Sequence, residues 1–213
     1  MKIKIKYIFF FIFIIPTFTV ILSYLFSLNL KIVPACFPMI EGCTSISRVG
    51  RYYPVNYFFK SFISISSLLI IIYWYKNFSF FNYYFKTKLN NIAFITGILS
   101  IIFLFLYIIF LGESNYYKFF RKVGIFIYIL FAIISELFLS VIYFRNRNYK
   151  FFSINHVKIK LYLSIFLAIS GILLFPFMIM KINNVANLRN VISWNYFLLI
   201  QINYLFTYFC WKK

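Results

Sequence analysis

Residues 91–111, NIAFITGILSIIFLFLYIIFL, contain no charged side chain in twenty-one positions. A helix of about 20 apolar residues crosses the roughly 30 Å hydrocarbon core of a bilayer. This one is apolar on every side, so no face of it prefers water. Five more stretches of the same kind lie at 7–27, 57–75, 123–144, 161–180 and 190–211. Across the chain 64% of residues are hydrophobic and 12% charged, with a mean hydropathy of +0.90. Soluble proteins carry about 25% charged residues, and a chain of this size folded in water could not bury so much apolar surface. A transmembrane β-barrel would need strands of about ten residues alternating apolar and polar. The expected fold is therefore an all-α integral membrane protein, one domain over 1–213 with six transmembrane helices.

The charges fix an expected orientation. Twenty-two Lys and Arg face three acids, a formal net charge of +19. No nucleic-acid-binding motif accompanies them, and they fall between the apolar stretches, where lipid headgroups are the natural partner. With the N-terminus cytoplasmic, the inner segments hold thirteen Lys and Arg in 39 residues and the outer ones nine in 53. That twofold density follows the positive-inside rule, so both termini are expected in the cytoplasm. The first apolar run, after Lys2, Lys4 and Lys6, exceeds the 7–15 residues of a signal-peptide core and is expected to remain as a helix. Pro16, and Gly171 with Pro176, are candidate kink positions. The two halves share no punctuation that would mark an inverted-repeat transporter.

One connecting segment stands apart. Residues 28–60, LNLKIVPACFPMIEGCTSISRVGRYYPVNYFFK, hold three prolines, two glycines and two of the three cysteines. A plain connector between helices needs only a handful of residues, so this length and punctuation predict a folded cap at the outer end. Within it, Cys43, then SISRVG over 45–50, then Arg51 and Pro54, then an aromatic pair entering the next helix, resemble the FRAG/DRAM/SFK family. That family comprises six-span membrane proteins with an Ile-Ser-x-x-Gly-x-x-(x)-Pro pattern in the first lumenal loop. It includes damage-regulated autophagy modulators, a lipid-remodelling factor for GPI anchors, and bacterial members of unknown activity. The resemblance implies a membrane-lipid context. It departs at Arg48, where many eukaryotic members carry an acid after the motif serine.

Ser45 and Ser47 can cap a helix or bond local amides. Gly50 permits a positive φ or a close backbone approach, and Pro54 suits a helix start. Arg48 and Arg51, three apart, would share a face on a helix. Guanidinium forks beside hydroxyls at headgroup depth suit a phosphate. Two readings follow: a structural lid whose arginines touch bulk headgroups, or a specific anionic-lipid site made by Ser45, Ser47, Arg48, Gly50 and Arg51. Cys36 and Cys43 would lie outside the cytoplasm, where a disulfide persists; two unpaired thiols are the alternative.

Glu136 lies deep in the fourth stretch, where an acid normally faces the bundle and has a partner. Gln201, Asn203 and Thr207 fall at similar depth and could hydrogen-bond it, and no basic residue is expected there. It is either a proton- or cation-handling site or a polar clamp between helices. His156 is expected as a solvated loop residue across the membrane from Ser45 and Ser47, so no serine–histidine–acid set forms, and the chain has no Asp. No metal-ligand cluster, Walker loop or dinucleotide motif occurs, and no cofactor is expected. The leading expectation is a non-enzymatic protein that binds lipid or a membrane partner and affects lipid organisation or maturation. A small ion- or solute-coupled transporter centred on Glu136 is the alternative, and a lipid-modifying enzyme would have to work without the usual catalytic His or Asp.

Overall fold

The computed structural model describes residues 2–112, 117–179 and 186–212, with side chains over 7–112, 117–174 and 186–212. Among the described residues seven helices follow in order: α1 (Lys2–Asn29), α2 (Ile46–Val49), α3 (Val55–Tyr84), α4 (Lys88–Phe110), α5 (Lys118–Arg145), α6 (Ile154–Ile179) and α7 (Ala186–Cys210). Six are long and α2 is a single turn. The long ones form a bundle in which α4 packs most intimately on α5, and α1 touches both α3 and α7. Gly124 makes the α4–α5 contact possible. A Cβ there would sit 3.0 Å from the Tyr107 amide nitrogen and 3.1 Å from the Phe103 carbonyl oxygen, so the two backbones meet almost directly, as small residues allow in membranes.

Apolar side chains point outward along α1 (Phe18, Ile21, Leu25), α4 (Ile95, Ile102, Ile109) and α6 (Phe166, Ile169, Ile172, Leu173). The interior instead holds small hydroxyls, among them Thr19, Ser23, Ser67, Ser100, Ser135 and Ser164. Several return their hydrogen to their own helix, as Ser67 Oγ does to the Ile63 carbonyl at 2.8 Å. Apolar surface facing out and small polar groups facing in is the pattern of a bundle solvated by lipid. Among the described residues five helices, α1 and α3–α6, are long and apolar enough to cross a membrane. α7 is outside that set because Asn190, Ser193, Asn195, Gln201, Asn203 and Thr207 dilute its hydropathy. The protein is an integral, multi-pass membrane protein.

Two helix limits differ most from the sequence expectation. α3 runs 30 residues, about 45 Å, and ends at Tyr84 rather than near Tyr75. Lys76, Asn77 and Ser79 interrupt its apolar run, yet Asn77 and Phe81 are buried and hold the last turns in the core. α6 starts at Ile154, so His156, Lys158 and Lys160 are helical rather than loop residues. His156 is half-buried, its Nδ1 bonded to Ser153 Oγ at 2.7 Å and its ring stacked on Phe209. The chain's two ends share one end of the bundle: Phe9 of α1 meets Trp211, which also pairs with Phe152.

At the opposite end, residues 30–54 form a lid. Tyr24 of α1 donates its hydroxyl to the Cys36 carbonyl at 2.6 Å, and Ser27 bonds the Val49 carbonyl at 2.9 Å. From α7, Asn190 reaches the Gly42 carbonyl at 2.7 Å, Trp194 Nε1 the Thr44 carbonyl at 2.9 Å, and Asn195 the Met39 carbonyl at 2.9 Å. Cys36 and Cys43 are joined as a disulfide. Glu41 accepts from the Phe37 amide at 2.9 Å inside that ring. Pinning carbonyls with side chains from both ends of the sequence is what lets a loop without strands or long helices hold a shape.

Candidate functional site

Ser45 caps α2. Its backbone is extended, and its hydroxyl accepts from the Arg48 amide at 3.2 Å. Val49 and Gly50 then dive into the core, both buried. Gly50 has φ −88°, so the glycine is there for space: a Cβ would run into the Phe59 ring. Pro54, reached through a cis peptide bond, stands at the start of α3.

This short turn sends its side chains to opposite sides. Ser45, Ser47 and Arg51 line one cavity, of about 200 Å³, together with Lys118, Arg121, Lys122 and Ile125 from the first turns of α5. Arg48 lines another, of about 560 Å³, against the end of α1. The expectation that Arg48 and Arg51 share a face is therefore corrected: α2 ends before Gly50, and the break in the helix rotates Arg51 away.

In the smaller cavity Ser47 lies against the Tyr107 hydroxyl of α4. Arg121 is 5% exposed and directs Nη1 at the Phe110 carbonyl at 3.4 Å, closing the last turn of α4. Arg51 and Arg121 lie close enough to repel one another, and Arg51 Nε is buried without a hydrogen-bond partner. Cations in the first turn of a helix also oppose its dipole, which favours negative charge there. Four basic side chains and two hydroxyls thus line this space, and Arg51 Nε is a buried donor still to be used. An anion with several oxygens is the chemical group that would relieve all three features.

Sequence reasoning missed Lys118, Arg121 and Lys122. Their i, i+3, i+4 spacing was the available signal, but the expected helix began at Val123, and only α5 starting at Lys118 puts them on one helix face. Nothing in the sequence set that face against the motif serines.

The second polar assembly sits within the bundle. Tyr73 of α3 donates to Glu136 Oε1 at 2.7 Å and pairs with Thr207 Oγ1 at 3.0 Å. Lys160 of α6 donates to Glu136 Oε2 at 2.6 Å and to the carbonyl and side-chain oxygens of Asn203, both at 3.0 Å. Asn203 passes a hydrogen to Ser164 Oγ at 2.8 Å, which meets Ser140 Oγ at 2.7 Å. Lys160 and Glu136 are 0% and 2% exposed. The expectation of no basic residue at Glu136's depth is corrected, because α6 begins early enough to carry Lys160 about 9 Å into the bundle. The anticipated direct partners also change: Asn203 reaches the acid through Lys160 and Thr207 through Tyr73. Gln201 is buried with its amide oxygen without a partner.

No curated protein and no solved structure matches the chain. The profile of the Frag1/DRAM/Sfk1/Cwh43P N-terminal domain matches residues 4–211, nearly the whole length. The SISRVG segment, the lid that it caps and the helices beneath all fall inside that match, and the chain belongs to the Frag1/DRAM/Sfk1/Cwh43P family.

Proposed function

We propose that the protein crosses the membrane six times with both termini cytoplasmic, binds the phosphate of an anionic lipid at its outer end, and so influences membrane-lipid organisation or maturation without catalysing a reaction itself. The observation that carries this is the smaller cavity, where Ser45, Ser47 and Arg51 of the family-like motif meet Lys118, Arg121 and Lys122. Its volume, about 200 Å³, is below the roughly 300–1,000 Å³ that encloses a whole small ligand. It suits a headgroup phosphate whose remainder stays in the bilayer. The denser basic charge on the other side and the shared end of both termini support the orientation.

Glu136 serves as a clamp in this proposal. Lys160 already supplies the cation that the carboxylate would otherwise recruit, and all three ammonium hydrogens are placed.

Lipid retained through purification, identified by mass spectrometry, tests the binding. Wild-type protein is expected to keep more anionic phospholipid per chain than Arg51→Gln with Arg121→Gln; an equal amount in that variant refutes the site. Labelling of Tyr52→Cys, but not Tyr149→Cys, by an impermeant maleimide on intact cells tests the orientation.

A further inference from the structure

The larger cavity has a different composition. Its wall is apolar, from Leu28, Ile32, Val33, Pro34 and Ala35, and its polar groups are Asn29, Lys31 and Arg48. At about 560 Å³ it falls within the range of ligand-holding clefts. It lies between the end of α1 and α2, across α2 from the Ser47–Arg51 cavity.

Lys31 is the informative residue. The Ile32 amide bonds the Ser27 carbonyl and the Lys31 amide the Leu28 carbonyl, both at 2.9 Å. This is the Schellman pattern, in which the residue after the helix takes a left-handed conformation and is usually glycine. Lys31 adopts it at φ 54°. A lysine in that conformation is strained where glycine would be at ease. The strain sets a cation among the residues that line an apolar cleft, together with Arg48.

We infer that this cavity binds one anionic phospholipid, its phosphate held by Arg48 and Lys31 and its glycerol and upper acyl carbons laid along Leu28, Ile32 and Val33. Charge complementarity requires an anion, and the apolar wall excludes a free inorganic one as the natural occupant. The site is independent of the Arg51 cavity and stands or falls without it. α2 thus divides the two: Ser45, Ser47 and Arg51 serve one ligand, Arg48 another.

Lys31→Gly removes the cation and relieves the left-handed strain, so the variant folds at least as well as the parent. Full-length protein in nanodiscs is titrated with fluorescent phosphatidylglycerol, with phosphatidylcholine and inorganic phosphate as separate arms. Lys31→Gly and Arg48→Gln are each expected to weaken phosphatidylglycerol binding about tenfold, the size of one lost charge-assisted hydrogen bond, with melting temperature held. Arg51→Gln leaves this component intact, which separates its failure from failure of the smaller cavity. Unchanged phosphatidylglycerol affinity in both Lys31→Gly and Arg48→Gln overturns the site. Competition by inorganic phosphate as strong as that by the lipid overturns the assignment of a lipid occupant.

Discussion

The Lys160–Glu136 cluster within the bundle and the Arg51–Arg121 cavity beneath the lid both gather charge in a protein with little of it, and they treat it in opposite ways. In the cluster one acid meets one ammonium, and hydroxyls and an amide from α3, α5, α6 and α7 take up the remaining valences. In the cavity four cations and two hydroxyls converge from the lid and α5, with a guanidinium nitrogen left over. A charge assembly that closes on itself holds helices together. One that leaves a buried guanidinium nitrogen unsatisfied keeps a donor for something else.

The sharpest way to break this contrast is to remove one charge from the cluster. Lys160→Met leaves a buried carboxylate without its cation, which typically destabilises by about 3–5 kcal/mol; loss of monodisperse protein and a lower melting temperature are the readouts. Lys160→Met combined with Glu136→Met removes both charges and is expected to recover most of that loss, as replacing a buried pair by apolar groups often does. A double variant as damaged as the single would show that the pair does more than cancel.

Arg51→Gln in the cavity is expected to behave the other way: a loss of about tenfold or more in anionic-lipid affinity at that cavity alone, with unfolding temperature held or raised as repulsion with Arg121 is relieved. Salt sharpens the same distinction. Raising ionic strength from 0.1 to 1 M shortens the Debye length from about 10 to 3 Å. Lipid binding at the lid should fall while stability set by the dry cluster barely moves.

A smaller effect concerns the lid itself. Trp194→Phe keeps the ring but removes the bond to the Thr44 carbonyl, and about 1–3 kcal/mol is expected for the buried carbonyl left unsatisfied. Smallest is Ser45→Ala, which removes the cap of α2 at about 0.5–2 kcal/mol. Both should loosen the lid, read by faster amide exchange over 45–50, and leave the cluster's protection unchanged.

The two regions also differ in how much of them the sequence discloses. Glu136 stood out at once because an acid in an apolar run is rare, and a bundle-facing role follows from the expense of exposing it to lipid. Its partner did not stand out. Lys160 sits near enough to the end of an apolar stretch to pass for one of the basic residues that mark the cytoplasmic side, and only α6 beginning at Ile154 carries it inward. In the lid, SISRVG and the flanking prolines and cysteines signalled a folded segment, and Ser45, Ser47 and Arg51 do come together. Arg48 leaves that group because α2 is too short to keep it on the same face. Lys118, Arg121 and Lys122 join from some seventy residues away, a proximity that no local pattern records.

What the amino-acid order determined by itself is the solvent of this protein and the approximate place of its long helices, because the transfer of apolar side chains into lipid sums along the chain without reference to neighbours. The tertiary structure alone decided which charges meet. Each helix turns its side chains through about 100° per residue, so a shift of a turn or an early helix start selects different partners. Pairing across helices is a property of packing, and that is why Lys160 became the counter-ion of Glu136 while Arg51 and Arg121 were set side by side.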